Sequence, residues 1–418
     1  MKPSSEKAKS ASKVSSRGSL EVRVPRLRFP GFKGEWKPTS LKTILHERKT
    51  YAEKNGPYPH ATLSKEGIYG KTDRYDRDFL VSTENKEYKI TLKNDLCYNP
   101  ANLKFGVICL NTFGSAIFSP IYVTFEIDKT HSPEFVGASL TQKDFIGYAL
   151  RFQQGTVYER MAVSPEDLLS ILRRFPSIAE QTKIAQFISL IDSRIAAQRK
   201  LVTLLKKQKR GLIEQIFGLR LPVGDSVNEW KTVELRDLFT KVARRNRDGK
   251  VKNVITNSAE FGLIPQKDFF DKSIAVDGNT DGYYVIRTGD FVYNPRKSTT
   301  APFGPFNRYT GTADGIISPL YTCLVPKGNA NPEYLAWYFQ STAWHRYVYD
   351  NGSQGARHDR VNMTDDLLFG IPVLLPSIMV QAQITDCLNA IDARWAAATE
   401  MLKQIEQIKR GLLQQMFA

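Results

Sequence analysis

The stretch from Ser177 to Phe217 returns two hundred residues later, as Ser377 to Phe417, without a gap. Each copy follows a proline, Pro176 or Pro376, and begins Ser-Ile. The copies then share Gln181/Gln381, Ile184/Ile384, Ile191-Asp192/Ile391-Asp392, Arg194/Arg394 and Ala196-Ala197/Ala396-Ala397. Agreement is best at the ends, where Lys209-Arg210-Gly211-Leu212 matches Lys409-Arg410-Gly411-Leu412, Gln215 matches Gln415 and Phe217 matches Phe417. A repeat this long limits the fold to one built from two equivalent halves, before any local motif is weighed.

Each copy also carries a heptad. Steps of four and three give Ile184, Ile188, Ile191, Ile195, Gln198, Val202, Leu205, Lys209, Leu212 and Ile216 in the first. The second reads Ile384, Leu388, Ile391, Trp395, Ala398, Leu402, Ile405, Lys409, Leu412 and Met416. An apolar seam sustained this far predicts a coiled coil rather than an ordinary surface helix. The lysines read as interruptions of the seam. Ser177 and Glu180 predict a capping box, while Gly218 and Pro222 stop the first helix; Val380 stands where the second box needs an acid, so its cap should be weaker. A helix of about forty residues is roughly 60 Å long, which suits a spacer better than a core element. Gly211 and Gly411 each cost about 1 kcal/mol relative to alanine inside a helix. They point either to close backbone approach or to fraying near the helix end.

The segments before the helices repeat too. Glu229-Trp230-Lys231 restates Glu35-Trp36-Lys37, and Leu235 and Leu238 restate Leu41 and Ile44. Tyr293-Asn294-Pro295 restates Tyr98-Asn99-Pro100, and Ser318-Pro319-Leu320-Tyr321 restates Ser119-Pro120-Ile121-Tyr122. Asn331-Pro332-Glu333-Tyr334 restates Ser132-Pro133-Glu134-Phe135, and Gln354-Gly355 with Arg360 restates Gln154-Gly155 with Arg160. Short strand-like runs occupy Tyr88 to Leu92, Leu96 to Tyr98, Val107 to Leu110 and Ile121 to Ile127. Ser132 and Pro133 open an apolar helical pattern that runs through Leu150. Between the anchors the halves diverge, most of all at 46–90 against 240–285. Connectivity makes the two long helices antiparallel if each globule returns its chain near where it entered, so the halves should be related by a pseudo-two-fold axis.

Lys and Arg total 59 against 43 Asp and Glu, a net charge of +16, which favours a polyanionic partner, nucleic acid before membrane. No apolar run reaches membrane-spanning length, and no signal-peptide pattern precedes the fold. Cys97, Cys109, Cys323 and Cys387 have no CxxC spacing, so neither metal nor disulfide is expected, and a reducing cytoplasm is. Residues 1–24 are rich in Ser and Lys and read as a disordered basic tail.

The Pro-Ser-Ile-Ala-Glu-Gln run at 176–181, the Ile-Asp-x-Arg-Ile run at 191–195 and the Lys-Arg-Gly-Leu ends before Ile216-Phe217 and Met416-Phe417 make the chain resemble the specificity subunits of type I DNA restriction–modification enzymes. The repeated Glu-Trp-Lys, Tyr-Asn-Pro and Ser-Pro-x-Tyr anchors agree, and the likeness covers Pro25 to Ala418. It implies an α+β fold: two mixed α/β target recognition domains, 25–175 and 219–375, joined by a central spacer helix, 176–218, and a distal one, 376–418. It further implies that each domain reads one half of a bipartite site in double-stranded DNA, and that the helices set the gap and dock two modification subunits. Those subunits use S-adenosylmethionine to methylate adenine N6; restriction subunits, driven by ATP and Mg, join them. The distal Ser377-Ile378-Met379-Val380-Gln381 departs from the pattern in lacking the Glu. Without the resemblance, a coiled-coil scaffold bridging protein partners is the competing reading.

The chain itself offers no catalytic motif. The strings nearest to an Asn/Asp-Pro-Pro-aromatic methyltransferase motif, Asn99-Pro100-Ala101 and Asn294-Pro295-Arg296, lack the second proline and the aromatic, and no G-x-x-x-x-G-K-[ST] loop exists for ATP. Glu84-Asn85-Lys86 and Glu87-Tyr88-Lys89 lack the Pro-Asp of a nuclease site, and the five histidines are scattered without metal spacing. Candidate DNA contacts are basic and amide side chains in loops, since Arg reads guanine, Asn or Gln reads adenine, and most basic contacts go to phosphate. They are Lys71, Arg74 and Arg77 beside Tyr69 and Tyr75; Lys104; Arg160; Arg244, Arg245 and Arg247 around Asn246, with Lys250 and Lys252 nearby; Arg296 and Lys297; and Gln354, Arg357 and Arg360 with His358. The Tyr-Asn-Pro pair reads as a turn rather than a reading head.

Overall fold

The computed structural model describes residues 25–417 apart from 55, 72–86, 156–160, 222, 224–229, 270–279 and 353–358. The tail expected over 1–24 therefore lies outside the described residues, as does Pro222. Two 40-residue helices, Ile178–Phe217 and Ile378–Phe417, match the repeat read from the sequence. The chain forms two compact units, Met1–Ala197 with Leu402–Ala418, and Gln198–Met401. Each unit thus contains one globule and a half of each long helix.

In the first unit a four-stranded antiparallel sheet has the order Leu45–Glu47, Val123–Ile127, Leu96–Tyr98, Ile108–Leu110. Its counterpart in the second unit runs Phe239–Lys241, Thr322–Pro326, Phe291–Tyr293, Phe306–Arg308. A two-stranded ribbon, Lys37–Ser40 with Leu172–Phe175, repeats as Lys231–Glu234 with Pro372–Leu375. The stretches without sequence likeness still each hold a hairpin. Ala61–Ser64 pairs with Gly67–Gly70 as a hairpin, and Ile255–Ser258 pairs with Gly262–Pro265 in the same place in the chain. The strand pairing recurs while the turn does not, since residues 65–66 join the first pair and 259–261 the second.

Local chemistry sets the remaining boundaries. Ser132 caps helix Pro133–Leu140 by accepting from the Phe135 N–H at 3.3 Å, and Asn331 caps Pro332–Tyr338 by accepting from Glu333 at 2.8 Å and Tyr334 at 3.3 Å. The pattern expected to continue through Leu150 instead breaks after Leu140. The Thr141 hydroxyl donates back to the Gly137 carbonyl at 2.9 Å, and a second helix begins at Lys143. A Cβ on Gly137 would lie 2.8 Å from that of Leu110, so glycine there lets the first helix press against the sheet edge.

Within each unit the helix halves pack antiparallel. In the second unit the Gln198 amide donates to the Ala398 carbonyl at 2.8 Å, and eleven residues further along Lys209 meets Asp392. In the first, Ile184 and Ile188 share a core with Leu413, Met416 and Phe417, while Lys409 meets Asp192. The seam positions Ile184, Ile188, Ile195, Leu205, Ile384, Leu388 and Ile391 are buried; Ile191, Val202, Leu212, Trp395, Leu402, Ile405 and Leu412 are half-buried. The seam lysines do not interrupt it. Each pairs with the aspartate of the other helix's Ile-Asp, and Lys209 also lies 5.0 Å from the Trp337 ring and 5.2 Å from that of Trp395.

The helix starts correct two expectations. Ser177 accepts from the Glu180 N–H at 3.4 Å, and Ser377 accepts from Val380 at the same distance, so the two serine caps are equivalent. Glu180 does not complete a capping box. Its carboxylate, 1% exposed, takes both Nε and Nη2 of Arg28 at 2.7 Å. The shared glutamine does more than either acid. Gln181 accepts from the Ser132 N–H at 3.0 Å and donates to the Pro176 carbonyl at 3.0 Å; Gln381 does the same with Asn331 at 2.8 Å and Pro376 at 2.9 Å. One buried amide thereby ties each long helix to the capped start of a globule helix.

Gly211 and Gly411 make no close approach: a Cβ on either would meet nothing within 4 Å. Gly211→Ala and Gly411→Ala should therefore each raise stability by about 0.5–1 kcal/mol, read as a higher melting temperature. Gln381→Leu should lower it by about 1–3 kcal/mol, because the Asn331 N–H would stay buried without its acceptor; an unchanged denaturant midpoint would contradict this role.

Candidate nucleic-acid interface

The repeated Tyr-Asn-Pro leaves the middle of each four-stranded sheet. The Tyr98 hydroxyl donates to the Val163 carbonyl at 3.0 Å, and that of Tyr293 to Phe303 at 2.8 Å. Asn99 accepts from the N–H groups of Ala101 at 3.1 Å and Asn102 at 3.3 Å, starting the short 3-10 helix Pro100–Phe105, and Asn294 accepts from Arg296 at 3.0 Å. The asparagines are structural turns. What they launch is different in each unit: Lys104, exposed and 5.1 Å from the exposed Phe105 ring, in one, and Arg296 and Lys297 in the other.

The densest basic run divides into structural and exposed members. Arg244 pairs with the buried Asp290 and donates to the Val285 carbonyl at 3.3 Å. The matching carboxylate in the first unit, Asp95, is held by Arg48 at 2.9 and 3.0 Å. The same buried acid is thus neutralised twice, by arginines that the repeat does not align. Burial pushes the Asp290 carboxyl above its ordinary value, against the pull of the Arg287 N–H and of Arg244. Asn246 is buried, accepting from the Val251 N–H at 3.1 Å and donating to its carbonyl at 3.0 Å. Arg245 is exposed, stacked 4.3 Å from the Tyr284 ring and donating to its hydroxyl at 3.0 Å. Arg247 and Lys252 are exposed, and Lys250 pairs with Asp248 at 3.0 Å.

Arg296, Lys297 and Arg360 come together although 63 residues separate the last two. Arg296 and Arg360 face each other across an antiparallel bridge, the Val361 N–H donates to the Pro295 carbonyl at 2.9 Å, and that of Lys297 donates to Asp359 at 2.8 Å. Asp359 lies 3.5 Å from Arg296 and 3.8 Å from Arg360. Lys71 is exposed beyond the strand Gly67–Gly70, its N–H donating to the His60 carbonyl at 2.8 Å. Arg74, Tyr75, Arg77, Arg160, Gln354, Arg357 and His358 lie outside the described residues.

Two other features bear on function. Outside the seam the central helix exposes the large apolar side chains Leu190, Leu201 and Leu204. The distal helix likewise exposes Met401 and Ile408. Leu190 is 71% exposed and Leu204 and Ile408 are each 59% exposed. Burial also pushes the thiols of Cys97 and Cys323 up to about 12 and that of Cys109 to about 11, which keeps them protonated and unreactive. Among the described residues no cluster of three or more His, Cys, Asp or Glu could hold a metal ion, and no helix is long and apolar enough to cross a membrane.

The division of the arginines makes a test. Arg245→Ala with Arg247→Ala should leave folding unchanged and flatten the dependence of DNA affinity on salt by about two phosphate contacts. Arg244→Ala should instead destabilise the second unit by about 3 kcal/mol, since Asp290 would be left buried and unpaired. Equal effects of the two variants on unfolding would refute the distinction.

No protein-family model matches the chain. A curated protein of Methanocaldococcus jannaschii described as "Putative type I restriction enzyme MjaX specificity subunit" is 23% identical over 306 residues, 64% of this chain. The chain spans 66% of that relative's length. The crystal structure of a type I restriction–modification S subunit from M. genitalium superposes with a TM-score of 0.53 at 15% identity, covering 94% of this chain and 99% of that one. A chain from a structural study of complex assembly and conformational transition in a type I restriction–modification system gives 0.54 at 18% identity, covering 94% and 98%. Repeated motifs, sequence relative and architecture agree: the chain has the fold of the specificity subunits of type I restriction–modification systems.

Proposed function

We propose that the chain is the DNA sequence-recognition subunit of a type I restriction–modification complex. The observation that carries this reading is the duplicated scaffold with unlike surfaces. Both units keep the four-stranded sheet, the ribbon, the capped helices and the glutamine latch, while the hairpins and the segments after Tyr-Asn-Pro carry different side chains. A scaffold protein needs no such pairing of constancy with divergence, whereas two readers of unlike half-sites do. The net charge of +16 suits a polyanionic partner, and exposed Arg245, Arg247 and Arg296, with half-buried Lys297, are the candidates to meet it.

The long helices fix the gap between the half-sites and hold the partner subunits. Exposed Leu190, Leu201 and Leu204 on the central helix and Met401 and Ile408 on the distal one support the second role, because apolar side chains left outside the seam accept another helix. Leu201 and Met401 lie at equal offsets in the two copies, which suits two identical partners, the modification subunits. Methyl transfer from S-adenosylmethionine to adenine N6 belongs to those subunits, ATP- and Mg-dependent cleavage belongs to restriction subunits, and this chain contributes specificity alone.

Exchanging residues 25–175 for the equivalent segment of a relative should change one half of the methylated site and leave the other intact. Mapping of N6-methylated adenines across the genome checks this, and a change in both halves would overturn the modular reading.

A further inference from the structure

The Ser-Pro-x-Tyr anchor holds a feature that neither the scaffold nor the charge accounts for. Ser119-Pro120-Ile121-Tyr122 and Ser318-Pro319-Leu320-Tyr321 each form a tight turn, closed by a hydrogen bond of 3.1 Å from the tyrosine N–H to the serine carbonyl, with proline in the position that presets it. The apex residue is a large aliphatic side chain in both, and each is 61% exposed. Single exposed aliphatics are ordinary on protein surfaces. Here the type, the place in the turn and the exposure all recur, in segments whose surroundings diverge.

The turn is also stiff. It joins the strands Ala116–Phe118 and Val123–Ile127 in one unit, and Gly315–Ile317 and Thr322–Pro326 in the other, each pair belonging to two different sheets. The following tyrosine anchors it from below: Tyr122 lies edge-on to Phe118 at 5.1 Å, and Tyr321 packs beside the cluster of Ile317 and Cys323. A side chain held out of its core by such a frame is displayed. In the second unit its setting is visible, for Leu320 lines one open cleft of about 380 Å³ with Arg360, whose bridge partner is the exposed Arg296. An aliphatic tip that shares a cleft with a guanidinium group matches a duplex, in which phosphates surround a stack of apolar base faces.

We infer that Ile121 and Leu320 are apolar wedges, one for each half-site, that press between neighbouring base pairs and open the stack, while beside Leu320 the guanidinium of Arg360 and its bridge partner Arg296 hold phosphate. The inference rests on the DNA-recognition reading above. Because both halves keep an aliphatic residue, the act is common to both and reads no sequence; specificity stays with the divergent segments. A locally unstacked duplex lowers the cost of extruding a base, which chemistry on an adenine in duplex DNA requires.

The test uses the full chain with duplexes carrying the site found by methylation mapping, with 2-aminopurine placed at successive steps of each half. The wild-type chain should raise fluorescence severalfold at one step in each half. Leu320→Ser should abolish the rise in one half only, Ile121→Ser in the other, with affinity falling about tenfold; Leu320→Ile should keep the signal. Both positions are exposed, so circular dichroism and melting temperature should not change. Unaltered fluorescence in a serine variant that binds DNA would overturn the wedge and leave the recognition reading standing. So would a serine variant that keeps its DNA signal yet no longer retains the modification subunits, which would make the apex a protein contact. Absence of salt-dependent DNA binding by the wild-type chain would overturn the recognition reading itself, and the wedge with it.

Discussion

A helix of forty residues cannot hold itself straight in water, and the fold depends on the seam along which two such helices bury one face each. The apolar positions supply the drive, and the crossed pairs Lys209–Asp392 and Lys409–Asp192 supply the register. Sliding either helix by one turn would separate both pairs and bring lysine against isoleucine. The charges are therefore part of the pairing code rather than flaws in it. A pair that is half-exposed contributes little to stability, and its worth lies in selecting one alignment among several that the isoleucines alone would tolerate.

The seam would hold two rods and nothing more without the attachment of each globule. Gln181 and Gln381 make that attachment with one amide each, satisfying a backbone N–H at the start of a globule helix and a proline carbonyl at the start of the long helix. A short polar side chain is well suited to this, because a buried amide is favourable only when its partners stand in fixed places. The first unit adds the Arg28–Glu180 pair, and the second, with Val380, does without it. The long helix therefore meets its globule at a fixed point in each unit.

Rigidity of that kind bears on recognition. Loops that are to read base edges must be carried by a frame that does not move when their sequence changes. The paired acids Asp95 and Asp290, the asparagine caps and the buried tyrosines form this frame, and none of them is exposed to a ligand. The exposed residues, from Arg245 and Arg247 to Arg296, can then vary without altering the fold. Two units with a common frame and unlike surfaces are what a bipartite target asks of one chain.

By itself the sequence determined the duplication, the two long helices, their seam and most strands of the shared sheet, because each depends on periodicity or on turn chemistry that acts locally. It also carried the resemblance that the fold now supports. Only the tertiary structure decided which charges are free. Arg244, Arg245 and Arg247 look alike in the chain, yet one neutralises a buried acid 46 residues away, one stacks on Tyr284, and one stands in solvent. Glu180 likewise read as a cap because its natural partner is three residues away, whereas its actual partner, Arg28, is 152 residues away. Gly211 and Gly411 read equally well as sites of close packing and stand in open space. In each case the deciding term is a long-range neighbour, whose position local sequence does not encode and the packing of the whole unit does.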